Sequence, residues 1–207
     1  MKPCTREPVG PLRLEADLRT AMAERQFRVF YHPVVQLDSR PIVSFEALLR
    51  WQHPTQGLIS PYRFIEAAED TGLLISIGHW VALQACRQLR EWEVNAASDQ
   101  PMNITVNVSA RQSADAHLVN EIQDALRETG IDPSRLQLEM TESLAALNPR
   151  LTITVLSHLK HMEIGVILHD FGIGSSSLSG LRQFAVDALK IDRWCARCRP
   201  IAAPATW

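Results

Sequence analysis

Six polar residues of this chain lie inside or just after short apolar runs, where charged and amide side chains are unexpected. Burying a charge is costly unless the charge is paired or bound to a metal ion. Carboxylate and amide oxygens are also the ligands that hard dications prefer. The pattern therefore indicates that these side chains pair with one another or bind a metal. The six residues are Glu46, Asn107, Glu139, Glu142, Asp170 and Lys190.

The most informative segment is Asp170-Phe171-Gly172-Ile173-Gly174, which directly follows His169. It comes after an apolar run and opens a glycine-rich loop, where an acidic side chain can face a metal or a phosphate. Each of the six polar residues alone is better explained as a solvated loop residue or a helix cap. Together they favour a functional site at the ends of several strands.

The elements that must position these residues alternate between strand and helix after a predicted helix at residues 12–25. This alternation predicts an α/β fold with a parallel sheet covered by helices, in which chemistry takes place where strands end. Predicted strands span residues 27–37, 42–49, 104–108, 136–140, 166–168 and 186–191. Predicted helices span residues 62–70, 73–92, 116–128 and about 150–161, with Pro61 opening the first and Gly130 ending the third.

Length and composition predict one well-packed domain, because 46% of the 207 residues are hydrophobic and only 21% are charged. A net charge of −2 argues against a nucleic-acid polymer as the main partner. The first ten residues are polar, and no apolar run reaches the roughly 18 residues that cross a bilayer. We therefore expect a cytoplasmic protein without a membrane span.

The four cysteines are expected to be reduced in that compartment. Cys195 and Cys198 form a C-x-x-C pair that could hold zinc or carry redox chemistry. A structural zinc site needs four ligands, and no second pair follows. Cys4 and Cys86 are far apart in the chain. We interpret all four as incidental thiols.

An ordered set of motifs resembles the EAL domain, the bacterial phosphodiesterase domain that acts on cyclic di-GMP. The name-giving motif stands as Glu46-Ala47-Leu48-Leu49-Arg50-Trp51. The other matching segments are Phe64-Ile65, Ala68-Glu69-Asp70-Thr71-Gly72-Leu73, Asn107-Val108-Ser109-Ala110-Arg111-Gln112, Leu138-Glu139-Met140-Thr141-Glu142-Ser143, Asp170-Phe171-Gly172 and Val186-Asp187-Ala188-Leu189-Lys190-Ile191-Asp192. The resemblance predicts an N-terminal tail at residues 1–11, an EAL domain at 12–192 and a non-homologous tail at 193–207.

The resemblance implies a modified TIM barrel and hydrolysis of one phosphodiester bond of cyclic di-GMP, which gives linear pGpG. It also implies a two-metal site with Mg²⁺ or Mn²⁺, ions that offset charge on phosphoryl oxygens and activate water. In this family some members pair through barrel helices, so a homodimer or a regulatory protein partner is a further expectation. Because the matching sequence stops at Asp192, the barrel is expected to be incomplete, with about six of eight strand–helix units.

The resemblance also implies roles for individual residues. Metal ligands are expected at Glu46, Asn107, Glu139, Asp170 and His169. Catalytic roles are expected for Lys190, which would orient or deprotonate the attacking water, and for Glu142, which would steady the following loop. Substrate contacts are expected for Arg50, whose planar fork suits a phosphate, and more loosely for His32, where the family usually has glutamine.

Three departures from the family pattern bear on activity. His169 replaces an aspartate that bridges both metals, and a neutral imidazole does not bridge two ions easily, although it can ligate Mn²⁺ or Zn²⁺. Ile173 and Ser175 replace a threonine and an aromatic residue in the loop. The tail after Asp192 has neither strand nor helix periodicity, so we expect an exposed sheet edge.

These observations leave three hypotheses open. The chain is a cyclic di-GMP phosphodiesterase of weak or lost activity, or a non-catalytic EAL module that binds the nucleotide or a protein partner. The third hypothesis is a remnant that folds poorly.

Overall fold

The computed structural model describes residues 11–38, 41–95, 102–113, 115, 117–141, 149–171 and 186–191. The helices are α1 (Pro11–Ala23), α2 (Ile65–Asp70), α3 (Leu73–Asn95), α4 (Ala110–Ser113), α5 (Leu118–Thr129) and α6 (Pro149–His161). Short 3-10 helices span Pro61–Arg63 and Pro133–Arg135. The strands are β1 (Phe27–Val35), β2 (Ile42–His53), β3 (Gly57–Ile59), β4 (Asn103–Asn107), β5 (Leu136–Thr141), β6 (Gly165–Phe171) and β7 (Ala188–Ile191).

All seven described strands belong to one sheet with the order β1-β2-β4-β5-β6-β7. The remaining strand, β3, pairs with the C-terminal end of β2, from Trp51 to His53. Strands β2, β4, β5, β6 and β7 run parallel, as the alternation of strands and helices predicts. Strands β1 and β3 depart from the predicted parallel arrangement, because each pairs antiparallel with β2. The connection from Val35 to Ile42 is too short for a parallel crossover, which needs a dozen or more residues, so it forms a hairpin.

Element boundaries differ from the predictions mostly by a few residues, as helix and strand ends commonly do. Two differences are larger. The predicted helix at 62–70 divides into a 3-10 turn and α2, which begins only at Ile65. Strand β3 was not predicted, because its three residues are too few for a period-two pattern. Gly130 ends α5 as expected, in a left-handed conformation with φ of 66°.

The hydrophobic core lies between the helices and one face of the sheet. Alternate residues of the central parallel strands point to this face, and they are Ile104, Val106, Leu136, Leu138, Val166 and Leu168, each at most 2% exposed. Helix α3 covers them with a long buried stripe that includes Ile77, Ala85 and Leu89, and α5 packs beside α3. Burying one such side chain stabilises the fold by about 1.5 to 3 kcal/mol.

The described strands form an open sheet with β1 at one end of the order and β7 at the other. Apolar side chains are exposed at both ends, among them Phe30 (48%), Val34 (41%) and Ile191 (63%). Within the described residues this matches the predicted exposed edge.

Candidate functional site

The opposite face of the sheet carries most of the predicted site residues. His32 pairs with Glu46 across β1 and β2, Asn107 pairs with Glu139 across β4 and β5, and His169 pairs with Lys190 across β6 and β7. Directly paired residues point to the same face of a sheet, and residues two apart on one strand do so as well.

The same rule joins these three pairs into one layer. Glu46 pairs with Thr105, which is two residues before Asn107 on β4. Glu139 pairs with Ile167, which is two residues before His169 on β6. The side chains of six strands therefore meet on the face of the sheet that the helices do not cover.

Lys190 lies at the centre of this layer. Its Nζ donates to Glu46 Oε2 at 2.8 Å and to Glu139 Oε1 and Oε2 at 2.8 and 3.1 Å. Glu139 is almost completely buried, with 2% of its side chain exposed. Burial alone lowers the pKa of Lys190, but the hydrogen bonds that its ammonium donates to the carboxylates of Glu139 and Glu46 outweigh burial, so the pKa is raised above its usual value. Lys190 therefore carries a positive charge at neutral pH.

Glu46 has a second partner in the layer, because Asn107 Nδ2 donates to Glu46 Oε1 at 3.0 Å. Burial favours the neutral carboxyl, but the hydrogen bonds from Lys190 and Asn107 outweigh this, so the pKa of Glu46 is lowered. His169 Nδ1 lies 3.8 Å from Glu139 Oε1 on the other side of the layer. Two carboxylates, an amide and an imidazole are thus held around one ammonium group.

This layer forms the floor of a cleft with a volume of about 660 Å³. The predicted site residues that line it are His32, Glu46, Asn107, Glu139, His169 and Lys190. Apolar residues of β1, β2 and β7 complete the wall, including Val34, Leu48 and Ile191. A cleft of this size can take a small ligand.

Arg50 does not line the cleft, and the side chain of Asp170 lies outside the described part of the structure. Arg50 lies four residues beyond Glu46 on β2, and its Nη1 donates to the carbonyl oxygen of Leu49 at 2.7 Å. Glu142 lies outside the described residues. The backbone of Asp170 adds one residue to β6 where its pairing with β7 is irregular, between His169 and Phe171. Such bulges occur frequently beside active sites.

A second polar layer, which sequence reasoning missed, lies directly beneath the carboxylates. Ser44 Oγ and Thr105 Oγ1 are 3.4 Å apart, and Thr105 Oγ1 donates to Gln137 Oε1 at 3.1 Å. Ser44 and Thr105 are buried, at 6% and 3% exposure. Gly165 leaves room for Gln137, because a Cβ at this position would lie 3.0 Å from Gln137 Cγ. We call Ser44, Thr105 and Gln137 the lower layer.

The lower layer could have been found from the two-residue period of strands. Ser44, Thr105 and Gln137 each stand two positions before a predicted ligand on β2, β4 or β5. They therefore share a face with Glu46, Asn107 and Glu139. Their directional hydrogen bonds fix the register of three strands and hence the spacing of the carboxylates above.

A capping box holds the chain where it leaves the site after Asn107. Ser109 N donates to Gln112 Oε1 at 3.1 Å, and Gln112 N donates to Ser109 Oγ at 3.3 Å, which gives the S-x-x-Q motif its reciprocal bonds. The Gln112 amide packs against Gly78 of α3, where a Cβ would lie 1.8 Å from Gln112 Nε2. Gly78 thus allows α3 to approach this turn closely.

The donor set suits a hard cation. Glu46 and Glu139 converge on the ammonium of Lys190, which stands in for a cation at that point. Carboxylate oxygens are the preferred ligands of Mg²⁺ and Mn²⁺. In the part of the chain that the structure describes, no three His, Cys, Asp or Glu side chains are spaced to hold a metal directly. The donor types therefore fit a dication, while their present spacing fits an ammonium.

A family comparison identifies this architecture. The model of the EAL domain matches residues 15–199. The chain belongs to the EAL domain family. The match covers the sheet and the carboxylate layer together, and it confirms the predicted family and the incomplete, modified TIM-barrel fold.

Two of the curated relatives are named as cyclic di-GMP enzymes. The bifunctional diguanylate cyclase/cyclic di-GMP phosphodiesterase MucR of Pseudomonas aeruginosa is 44% identical over 182 residues, which cover 88% of this chain and 26% of MucR. The cyclic di-GMP phosphodiesterase NbdA of the same organism is 38% identical over 182 residues, which cover 88% of this chain and 23% of NbdA. The EAL domain thus spans about a quarter of each relative.

Two solved structures also match this chain. The PaMucR phosphodiesterase in complex with c-di-GMP matches with a TM-score of 0.83 and 43% identity, over 87% of this chain and 72% of that chain. The EAL enzyme Bd1971, bound to cAMP and cyclic di-GMP, matches with a TM-score of 0.83 and 32% identity, over 92% of this chain and 52% of the Bd1971 chain. This chain is therefore an EAL domain homologous to cyclic di-GMP phosphodiesterases, a generally metal-dependent group.

Two further expectations concern the rest of the chain. None of the described helices is long and apolar enough to span a membrane. Cys86 is a free, buried thiol, and burial raises its pKa to about 12, so it is unreactive at neutral pH. Cys4, Cys195 and Cys198 lie outside the described residues, as do Ile173 and Ser175.

Proposed function

We propose that this EAL domain binds cyclic di-GMP in the cleft above the carboxylate layer and hydrolyses it slowly to pGpG. The observation that carries the proposal is the convergence of Glu46 and Glu139 on one positive charge. Two solved relatives bind cyclic di-GMP, and at 43% and 32% identity their likeness extends beyond the fold.

Glu46, Asn107 and Glu139 are the proposed ligands of a Mg²⁺ or Mn²⁺ ion, and Asp170 the proposed ligand of a second. Bound there, the ions would offset charge on the phosphoryl oxygens and acidify a water. The proposed task of Lys190 is to orient that water, since its ammonium already reaches both Glu46 and Glu139. Glu142 is proposed to steady the loop after β5.

Substrate contacts are proposed for His32 and Arg50. His32 is directly paired with Glu46 and lines the cleft, so its imidazole can donate to a guanine or a phosphate oxygen. Arg50 is on the same face of β2 as Glu46, and its guanidinium would have to turn from the Leu49 carbonyl to reach a phosphate.

Slow hydrolysis follows from His169. Its imidazole stands beside Glu139 in the cleft and adds no negative charge there. An imidazole has one lone pair for a metal, whereas a carboxylate can bridge two ions. A second ion would therefore be held weakly beside His169, and phosphoryl transfer would lose much of its charge stabilisation.

A second candidate function is a module that binds cyclic di-GMP without hydrolysing it. The spacing of the acidic side chains around Lys190, rather than around a metal, favours it. Purified protein incubated with cyclic di-GMP and Mg²⁺ or Mn²⁺ separates the two functions. Formation of pGpG supports the hydrolase, binding without turnover supports the module, and failure to bind the nucleotide refutes both.

The His169→Asp variant tests the reason for the slow rate. We expect the rate of pGpG formation with Mg²⁺ to rise at least about tenfold, because a bridging carboxylate is restored. His158→Asp makes the same chemical change on α6, away from the cleft, and serves as the matched control. An unchanged rate in His169→Asp would show that His169 does not limit turnover.

The remaining expectations are part of the proposal. We propose that the domain works in the cytoplasm, with boundaries at residues 12–192 and tails at 1–11 and 193–207. A second copy of this chain, forming a homodimer, or a regulatory protein is the proposed macromolecular partner. Size-exclusion chromatography with light scattering measures directly whether the protein is a dimer.

A further inference from the structure

The ammonium group of Lys190 is held where the charge of a bound cation is needed. Its Nζ contacts both Glu46 and Glu139 within 3.1 Å, at distances typical of charge-assisted hydrogen bonds. The three side chains come from strands β7, β2 and β5, and they form one cluster with two negative charges and one positive charge.

The members of this cluster differ in their freedom to move. The side chains of Glu139 and Glu46 are 2% and 16% exposed, whereas that of Lys190 is 46% exposed. Lys190 also stands on β7, at the end of the described strand order. Its four-carbon stem lets the ammonium swing into the open cleft, whereas the more deeply buried carboxylates have less room to move.

We propose that the Lys190 ammonium is an internal placeholder, which a divalent cation must displace before it can bind between Glu46 and Glu139. The proposal rests on the proposed function only in assuming that a dication binds at these two carboxylates. It assigns Lys190 a role in setting cation affinity, separate from any role in orienting water.

Charge balance explains why displacement takes place at all. One ammonium leaves the two carboxylates with one uncompensated negative charge, whereas a dication neutralises both. The ammonium nevertheless competes, since every cation that binds must break three hydrogen bonds to Lys190. A competitor that occupies the site lowers the apparent affinity by the fraction of protein that remains competent.

The distances between Lys190 Nζ and the carboxylate oxygens agree with the placeholder role. The oxygens lie 2.8 to 3.1 Å from Nζ, whereas Mg²⁺ binds oxygens at about 2.0 to 2.1 Å. The carboxylates therefore have to close in by several tenths of an ångström after the ammonium leaves. The described side chains are spaced for the placeholder, in agreement with the lack of a ready metal cluster among them.

The opposite role for Lys190 makes an opposite prediction. If the ammonium were a permanent clamp that gathers the carboxylates for the metal, its removal would weaken cation binding. If it is a placeholder, its removal strengthens cation binding. The sign of one affinity change therefore decides between the two roles.

The test measures Mn²⁺ binding to the whole protein by isothermal titration calorimetry, without nucleotide. Lys190→Met removes the charge, and Lys190→Gln keeps a hydrogen-bond donor for the buried carboxylate of Glu139 should the first variant fold poorly. We expect both to bind Mn²⁺ about tenfold more tightly than the wild type. Lys160→Met, which removes the ion pair between Lys160 and Asp187, is the matched control and should leave Mn²⁺ affinity unchanged.

Thermal unfolding gives a second readout. Without metal, Lys190→Met should unfold at a lower temperature than the wild type, because Glu139 is left buried without its cation. Mn²⁺ should then raise the unfolding temperature of Lys190→Met by more than that of the wild type. A residue that merely maintains the fold would lower stability and cation affinity together.

Each outcome has a definite meaning. Tighter binding by the Lys190 variants supports the placeholder, including the case in which only they bind Mn²⁺. Equal or weaker binding than the wild type overturns it and leaves the proposed metal site intact. No Mn²⁺ binding by any of the proteins overturns both the placeholder and the metal-dependent part of the proposed function.

Discussion

Two lysine–carboxylate clusters lie along strand β7, and they differ in charge balance and burial. Before the strand, Lys160 of α6 pairs with Asp187, whose other oxygen accepts from Val166 N at 2.7 Å. Within the strand, Lys190 serves both Glu46 and Glu139. The first cluster has one carboxylate for one ammonium, and the second has two.

The balanced cluster is a structural clamp. Asp187 also donates its own N–H to the carbonyl oxygen of Val166 at 2.8 Å, so backbone and side chain together fasten the start of β7 to β6. The side chains of Lys160 and Asp187 are 34% and 43% exposed. Among the described residues, the one ammonium of this cluster is matched by one carboxylate.

Among the described residues, the cluster of Glu46, Glu139 and Lys190 has two carboxylates for one ammonium, and the imidazole of His169 lies 3.8 Å from Glu139. Glu139 is buried at 2% exposure, where an unpaired carboxylate is expensive, yet Lys190 has to be shared with Glu46. The two clusters on β7 therefore differ in two ways: the one at Lys190 includes the deeply buried Glu139 and has two carboxylates for its ammonium, whereas the one at Asp187 is more exposed and has one.

The largest effect is expected from Glu139→Gln, which removes the buried charge of the unbalanced cluster. Loss of this carboxylate should weaken Mn²⁺ binding by about a hundredfold, since one of two charged ligands becomes neutral. Asp187→Asn makes the matched change in the balanced cluster and should leave the Mn²⁺ affinity within about twofold. Calorimetric titration of both variants measures the comparison, and equal losses would remove the distinction.

The Asp187→Asn variant should affect the stability of the fold rather than Mn²⁺ binding. Asp187→Asn weakens the ion pair with Lys160 and the hydrogen bond from Val166 N, which should lower the free energy of unfolding by about 1 to 2 kcal/mol. Urea denaturation followed by circular dichroism measures the change. A variant as stable as the wild type would show that the clamp contributes nothing to holding β7.

The contribution of the clamp should depend on pH. Burial raises the pKa of Asp187, but the hydrogen bonds from Lys160 and Val166 outweigh it, so the pKa in the folded state is lowered. The stabilisation is therefore complete above the unfolded value near pH 4 and is lost as the pH falls through the folded value. The stability difference between wild type and Asp187→Asn should shrink below about pH 4, whereas a constant difference down to pH 2 would contradict this assignment.

The smallest effect is expected from the lower layer. Thr105→Val keeps the shape of the side chain but removes the hydroxyl that joins Ser44 to Gln137. Because the carboxylates above are then less precisely spaced, Mn²⁺ affinity should fall about threefold. Thr105→Ser restores the hydroxyl and should recover the affinity. If valine and serine behave alike, the lower layer does not position the site.

Much of the fold could be predicted because its signals are local. Alternating apolar residues marked β4 and β5, helical spacing marked α3, and Gly130 marked the end of α5. The antiparallel direction of β1 follows from its short connection to β2 and not from side-chain periodicity. Strand β3 was missed because its pairing with β2 stabilises it, which no local pattern reveals.

The residues that line the cleft were also largely predictable, because several polar residues inside or just after apolar strands are harder to explain together than one by one. The predicted residues Glu46, Asn107, Glu139 and Lys190 come from four separate strands and lie in one cleft. The two-residue period would have predicted the lower layer beneath them. The burial of Glu139 and the turning of Arg50 towards the Leu49 carbonyl depend on neighbours distant in sequence, so the sequence could not predict them.

The sequence by itself determined the family, the order of the elements and the identity of the polar residues at strand ends, because each is recorded in local spacing. Only the tertiary structure decided which charges meet. Glu46 and Lys190 are 144 residues apart in the chain, and the register of four strand pairings brings them to 2.8 Å. That contact makes the ammonium of Lys190 the charge that any cation in this site has to replace.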